Sequence, residues 1–296
     1  MPYATASDET KLYYEETGKG TPLVFVHEFA GDHRSWEGQM RYFARRYRCV
    51  AFNARGYPPS DVPRARTKYS QAIVTGDIAA VMRHLKLRKA HVVGCSMGGY
   101  SALNFGIHYA ARALSVTAVG AGAGSHPALR PAFLRSVEAT AKRFDALGMK
   151  AALRIGGVNP GRVPYLNKDP RGYAEFWSRH EEHSALGLAN TQRGVQLKRP
   201  TIYQLERSLR RMKVPLFVVS GDEDDNCVEP GVFIKRVCPA ARLWICPATG
   251  HTVNIEEPDL FNRMLGDFLA LVDAGRWRAR DPRSRTTIHE SRTTPA

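Results

Sequence analysis

The chain has 296 residues, 43% apolar and 24% charged, enough for one large α/β domain or two small ones, and a composition that excludes wholesale disorder. No apolar run approaches the ~18 residues that span a bilayer. The start, Met1 to Asp8, carries neither a basic cluster nor an apolar stretch, so neither membrane insertion nor a cleaved leader is expected. Five scattered cysteines (Cys49, Cys95, Cys227, Cys238, Cys246) form no disulfide framework, CxxC pair or zinc spacing, and the expected setting is a reducing cytoplasm with no metal. Net charge is +15, from 43 Lys and Arg against 28 Asp and Glu. The basic residues are spread without a nucleic-acid module, so a nucleic-acid partner is not expected.

Short apolar runs alternate with longer helical patterns, which predicts an α/β fold with a mostly parallel, doubly wound sheet. In chain order the strands are 11–16, 22–27, 49–53, 90–95, 115–119, 215–220 and 242–246, and the helices 36–46, 71–85, 97–109 and 258–272. The runs Leu23-Val24-Phe25-Val26 and Leu216-Phe217-Val218-Val219 do not alternate, as suits strands covered on both faces. Between residues 124 and 213 no strand is expected, only amphipathic helices, clearest at 131–146, 171–186 and 201–212. The predicted organisation is a core of residues 1–124 and 214–275, a helical cap at 125–213 and a flexible tail at 276–296.

Gly94-Cys95-Ser96-Met97-Gly98 lies where a strand meets a helix and fits G-x-S-x-G, the sharp turn that holds a serine in a strained conformation. Five letters are weak evidence, since a chain of this composition matches by chance roughly one time in ten. The buried-strand pattern before Ser96 and the helical pattern after it supply the context. That helix aims its free N–H groups at the serine oxygen, where charge develops in acyl transfer.

A serine needs a base, and the base an orienting acid, in the order Ser, Asp or Glu, His. After the strand at 215–220 comes Gly221-Asp222-Glu223-Asp224-Asp225, and after that at 242–246 comes Gly250-His251. His251 is the expected base. Asp224 is the expected acid, three residues past its strand, with Asp222 and Asp225 left open. The loop after the strand at 115–119, Gly120-Ala121-Gly122-Ala123-Gly124, offers no carboxylate.

Together these residues resemble the α/β-hydrolase superfamily, in its capped serine esterase and lactonase branch. His27-Glu28-Phe29-Ala30-Gly31 resembles the family's H-G-x-x-G loop, 53–60 its D-x-R-G-x-G-x-S turn, and Gly250-His251 with Glu256-Glu257-Pro258 its G-H…E-x-P ending. The resemblance implies an oxyanion hole from the backbone N–H groups of Phe29 and Met97. It implies hydrolysis of a small ester or lactone without a cofactor. Glu28 stands where the family has glycine, and a pairing with Arg55 is expected to carry its charge. Asn53 replaces an aspartate and is read as structural.

Other polar residues receive plainer readings. His180 and His183 are expected on a solvated helix face, and Cys95 as core packing. Phe133, Phe144, Phe176, Trp177 and Tyr203 are left between pocket lining and cap-to-core packing. The basic cap suggests an anionic substrate as a hypothesis. Carbon–carbon hydrolysis of a diketone-like substrate and a non-catalytic ligand receptor stay open as alternatives, and oligomeric state is not readable.

Overall fold

The structure, a computed structural model, describes residues 2–284. Eight strands form one sheet: β1 (Tyr3–Thr5), β2 (Lys11–Thr17), β3 (Thr21–Val26), β4 (Tyr47–Phe52), β5 (Ala90–Cys95), β6 (Ala113–Val119), β7 (Leu216–Gly221) and β8 (Ala241–Cys246). Their order is β1-β2-β4-β3-β5-β6-β7-β8. The β1–β2 and β2–β4 pairs are antiparallel and the rest parallel. β1, only three residues long, is absent from the sequence reading.

Helices α1 (Glu37–Phe43), α2 (Gln71–His84) and α3 (Met97–His108) precede the insertion between β6 and β7. The insertion holds α4 (Arg130–Gly156), α5 (Val163–Lys168), α6 (Pro170–His180), α7 (Ala185–Thr191) and α8 (Glu206–Arg211). Helices α9 (Asp225–Val237), α10 (Val253–Glu256) and α11 (Pro258–Asp273) follow. α4 breaks at Gly148, whose φ of 68° is not helical. α9, which carries Pro230 inside it, is absent from the sequence reading.

Both sheet faces are covered, which explains the non-alternating strands. Val24, Val26, Val50, Phe52 and Val92 pack with residues of α2 and α3 on one face. Leu23, Phe25, Cys49 and Val93 pack with Trp36, Phe261 and Phe268 on the other. A third apolar cluster joins Ala30, Tyr57 and Met97 of the sheet's carboxyl edge to Phe144, Leu153 and Leu188 of the insertion.

The segment expected to be a flexible tail from residue 276 makes contacts with the core over its first residues. Trp277 packs edge-on against Phe268, its Nε1–H donates to the Ala240 carbonyl at 2.9 Å, and the Arg280 N–H donates to Pro239 at 2.9 Å. An aromatic ring and two satisfied donors outweigh the polar composition around them. Residues 285–296 lie outside the described residues.

Candidate active site

The turn at Ser96 is built by close backbone approaches. A Cβ on Gly94 would lie 2.1 Å from the Gly98 carbonyl oxygen, and one on Gly98 2.1 Å from that of Val26. Only glycine admits both contacts. Ser96 itself takes φ 53°, ψ −112°, a sparsely populated region for a side-chain-bearing residue. Its N–H donates to the Val119 carbonyl at 2.7 Å, fixing the turn to the end of β6.

Gly120, the next residue along, sits under the His251 ring: a Cβ there would be 3.3 Å from ring atoms Cε1 and Nδ1. Ser96 and His251 thus flank the same glycine. A side chain at Gly120, the first residue of the loop 120–124, would crowd the imidazole. The Cys95 Sγ lies 3.8 Å from the His251 carbonyl oxygen behind the turn, fully buried as expected.

Asp224 Oδ2 is 2.6 Å from His251 Nδ1. An ionised carboxylate only accepts, so Nδ1 carries a proton, which in the neutral ring leaves the lone pair on Nε2. Asp224 is 4% exposed. Burial opposes its ionisation, but the charge and hydrogen bond of His251 prevail and hold its pKa below the usual carboxylate value. Asp222 accepts instead from the Thr249 N–H at 3.0 Å, and Asp225 opens α9 at the surface. Of the carboxylates in this loop, Asp224 is the one that meets the imidazole.

Phe29 follows β3, whose end runs against Gly98 at the start of α3, so Phe29 and Met97 come from adjoining backbones. Met97 opens α3, and its N–H has no helical acceptor. The Phe29 N–H makes no hydrogen bond among the described residues. The Phe29 ring is 6.4 Å from that of Phe144, and Trp177 packs on the same cluster. Phe133 and Tyr203 lie elsewhere, against Arg199 and Phe233.

Several contacts go beyond the sequence motifs. The Gly161 carbonyl, from the insertion, accepts the His251 N–H at 2.7 Å. Both Glu256 oxygens accept from the Gly250 N–H, and Lys168 of α5 reaches Glu256 at 3.2 Å and Glu257 at 2.5 Å. Among the described residues, Asp224, Cys227 and His251 are the group of ligand atoms close enough to hold a metal ion, lying within 4.8 Å of one another. Burial pushes the Cys227 thiol far up, and its Sγ is 3.2 Å from the Gly120 carbonyl. The trio therefore reads as a hydrogen-bonded network.

Two expectations are corrected. Glu28 does not meet Arg55, which is held by Asp77 at 2.7 Å and Asp8 at 2.9 Å. Glu28 is fully buried, accepts from the Ser35 hydroxyl at 3.0 Å, and leaves Oε2 without a partner. Burial pushes its pKa up. His180 and His183 are buried, not solvated. His183 Nε2 lies 3.1 Å from the Ala30 carbonyl oxygen, and His180 stands edge-on to Phe176. Asn53 is structural as read, bonded to the His33 N–H and the Pro58 carbonyl.

Comparisons with known proteins now add to this geometry. The family model described as alpha/beta hydrolase fold matches residues 21–258. The chain is 24% identical over 251 residues to 3-oxoadipate enol-lactonase 1 of Acinetobacter baylyi, covering 84% of this chain and 89% of that protein. It is also 24% identical over 267 residues to a 2-hydroxy-6-oxo-6-phenylhexa-2,4-dienoate hydrolase of Burkholderia cepacia, covering 88% and 91%. A thermophilic esterase from Thermogutta terrifontis superposes with a TM-score of 0.80 at 22% identity, over 92% of this chain and 98% of that one. No described helix is long and apolar enough to cross a membrane. From the family match and the sheet topology together, this chain belongs to the α/β-hydrolase family and is a hydrolase.

Proposed function

We propose that the protein hydrolyses a small carboxylic ester or lactone through an acyl-enzyme on Ser96, His251 and Asp224. The observation that carries this reading is the 2.6 Å Asp224–His251 bond on a ring that rests over Gly120, beside the strained Ser96. In this mechanism Ser96 Oγ attacks the carbonyl carbon while His251 Nε2 takes its proton. Asp224 holds the tautomer and stabilises the imidazolium. The N–H groups of Phe29 and Met97 receive the oxyanion, each worth roughly 3 kcal/mol in comparable sites. His251 then protonates the leaving oxygen, and water, deprotonated by His251, attacks the acyl group and frees Ser96.

The helices of the insertion act in this reading as a cap. Phe144 and Trp177 form an apolar wall facing Phe29 for the hydrocarbon part of the substrate. The enol-lactonase and esterase relatives favour an ester bond. Likeness to the dienoate hydrolase keeps carbon–carbon cleavage as a second reading. Five free, buried cysteines suit a reducing compartment, and the cytoplasm is the location this reading assigns.

The test combines a panel of p-nitrophenyl esters, a lactone and a vinylogous diketone with a serine-directed phosphonate. The expected result is ester turnover, and one phosphonate per chain on Ser96 that abolishes it. Labelling at another residue, or ester turnover that survives Ser96→Ala, would overturn the assignment. Cleavage of the diketone alone would favour the second reading.

A further inference from the structure

Arg162 is a buried cation to which no carboxylate among the described residues is bonded. The residue is 8% exposed, and its guanidinium lies 4.5 Å over the Phe176 ring. Nη1 donates to His180 Nε2 at 3.4 Å, while His180 Nδ1–H donates to the Phe176 carbonyl at 2.9 Å. His180 is therefore neutral and positions the arginine without balancing its charge. Nε and Nη2 have no hydrogen-bond partner among the described residues. Those two atoms form the edge of the fork that takes a carboxylate side-on, through two parallel bonds.

The location of this cation matters as much as its isolation. Arg162 closes the turn Asn159–Arg162, whose Gly161 carbonyl accepts the His251 N–H. A Cβ on Gly161 would sit 3.5 Å from His251 Cβ and 3.7 Å from Asp224 Oδ1. The two carboxylates its charge reaches are not bonded to it: Asp224 holds His251, and Glu28 accepts from Ser35. A buried charge without a counter-ion is costly, and the cost is relieved if a ligand supplies the anion.

We propose that Arg162 recognises a carboxylate on the substrate, so that the enzyme acts on esters or lactones bearing a free acid group near the scissile carbonyl. The apolar wall of Phe29, Phe144 and Trp177 receives the hydrocarbon portion. This deepens the serine-hydrolase reading and rests on it for the turnover part of its test.

The experiment compares wild type, Arg162→Met and Arg162→Lys on p-nitrophenyl butyrate and mono-p-nitrophenyl glutarate. Calorimetric titration with free glutarate is run alongside, with thermal melting to check folding. A lost charge-assisted pair predicts that the anionic-to-neutral ratio of kcat/KM falls ~30-fold in Arg162→Met. Arg162→Lys recovers part of that ratio, and glutarate binding disappears in Arg162→Met. An unmoved ratio, or glutarate that binds wild type and Arg162→Met alike or neither, would overturn the proposal. If Arg162→Met does not fold, Arg162→Lys and Arg162→Gln carry the same comparison. Glutarate bound through Arg162 with neither ester cleaved would sink the hydrolytic reading and leave the anion site standing. Ester turnover on a labelled Ser96 with an unmoved ratio would do the reverse.

Discussion

The His251 backbone N–H donates to the Gly161 carbonyl at 2.7 Å, so the inserted helices grip the backbone of the proposed base itself. Gly250, just before it, has room for no side chain: a Cβ there would lie 2.3 Å from that same carbonyl oxygen. Gly250→Ala should push the turn 159–162 off His251. Since misplacement by about 1 Å costs on the order of 10²-fold in rate, kcat should fall by about that factor. Steady-state kinetics beside circular dichroism will check this. A kcat within threefold of wild type in a folded variant would show that the contact does not position the base.

Three carboxylates stand open in the sequence at the acid position, and a pair of substitutions separates Asp224 from Asp222. Asp224→Asn should keep its hydrogen bond but present the wrong partner to Nδ1, lowering kcat by roughly 10³- to 10⁴-fold. Asp222→Asn alters bonds to backbone N–H groups only, that of Thr249 first, and should cost less than about tenfold. Rates of p-nitrophenyl ester hydrolysis decide it, and equal losses would reopen the choice.

The elements most legible in the sequence were those whose environment is set locally. β3 and β7 announced themselves by unbroken apolar runs because helices cover both sheet faces. Ser96 was readable because the turn geometry itself demands Gly94 and Gly98. The misreadings concern partners brought in by distant chain. Arg55 finds Asp8 and Asp77, 47 and 22 residues away, which no local pattern reveals, so the expected Glu28–Arg55 pair does not form. His180-Glu181-Glu182-His183 has the composition of a wet helix face, yet its histidines face Phe176 and Ala30. The Gly161 carbonyl and Arg162 lie in a short Pro-Gly-Arg turn without periodicity, and their placement over His251 is a tertiary fact.

Stability should fall on mild acidification because histidines are buried neutral. Burial holds His27 down to about 4, and burial with the Arg162 charge holds His180 down to about 3. Unfolded histidine titrates near 6.5. Below that value the unfolded chain binds protons that the folded chain refuses, so the stability present above pH 6.5 drains as pH falls toward 4. Each such group contributes a slope of about 1 kcal/mol per pH unit around pH 5. Urea unfolding from pH 7 to 5 should show this, with the slope reduced by that amount in His180→Gln. An unchanged slope in the variant would contradict the neutral buried state.

The docking of Trp277 gives the segment after α11 a structural role. Its ring lies 4.6 Å from that of Phe268 and its Nε1–H reaches the Ala240 carbonyl. Trp277→Ala should lower stability by about 2 kcal/mol through lost apolar burial and one lost hydrogen bond, the Ala240 carbonyl keeping the Leu216 N–H as its donor. Denaturant midpoints will measure it. A change below about 0.5 kcal/mol would restore the flexible-tail reading for residues 276–280.

Glu28 offers a signature opposite in sign to that of the histidines. Its carboxyl is fully buried, with Ser35 on Oε1 and nothing on Oε2. Burial raises its folded pKa above the ordinary 4.5. The folded chain therefore holds a proton that the unfolded chain releases, and stability declines as pH rises above that ordinary value. Glu28→Gln removes the titration while keeping shape and an acceptor for Ser35. The variant should be closest to wild type near pH 4.5 and become the more stable of the two as pH rises above it, until the folded carboxyl itself ionises. Urea midpoints across that range test the point. A variant that instead loses ground as pH rises would mean that Glu28 is ionised in the folded protein and sustained by a nearby cation, Arg162 being the one whose charge lowers its pKa most.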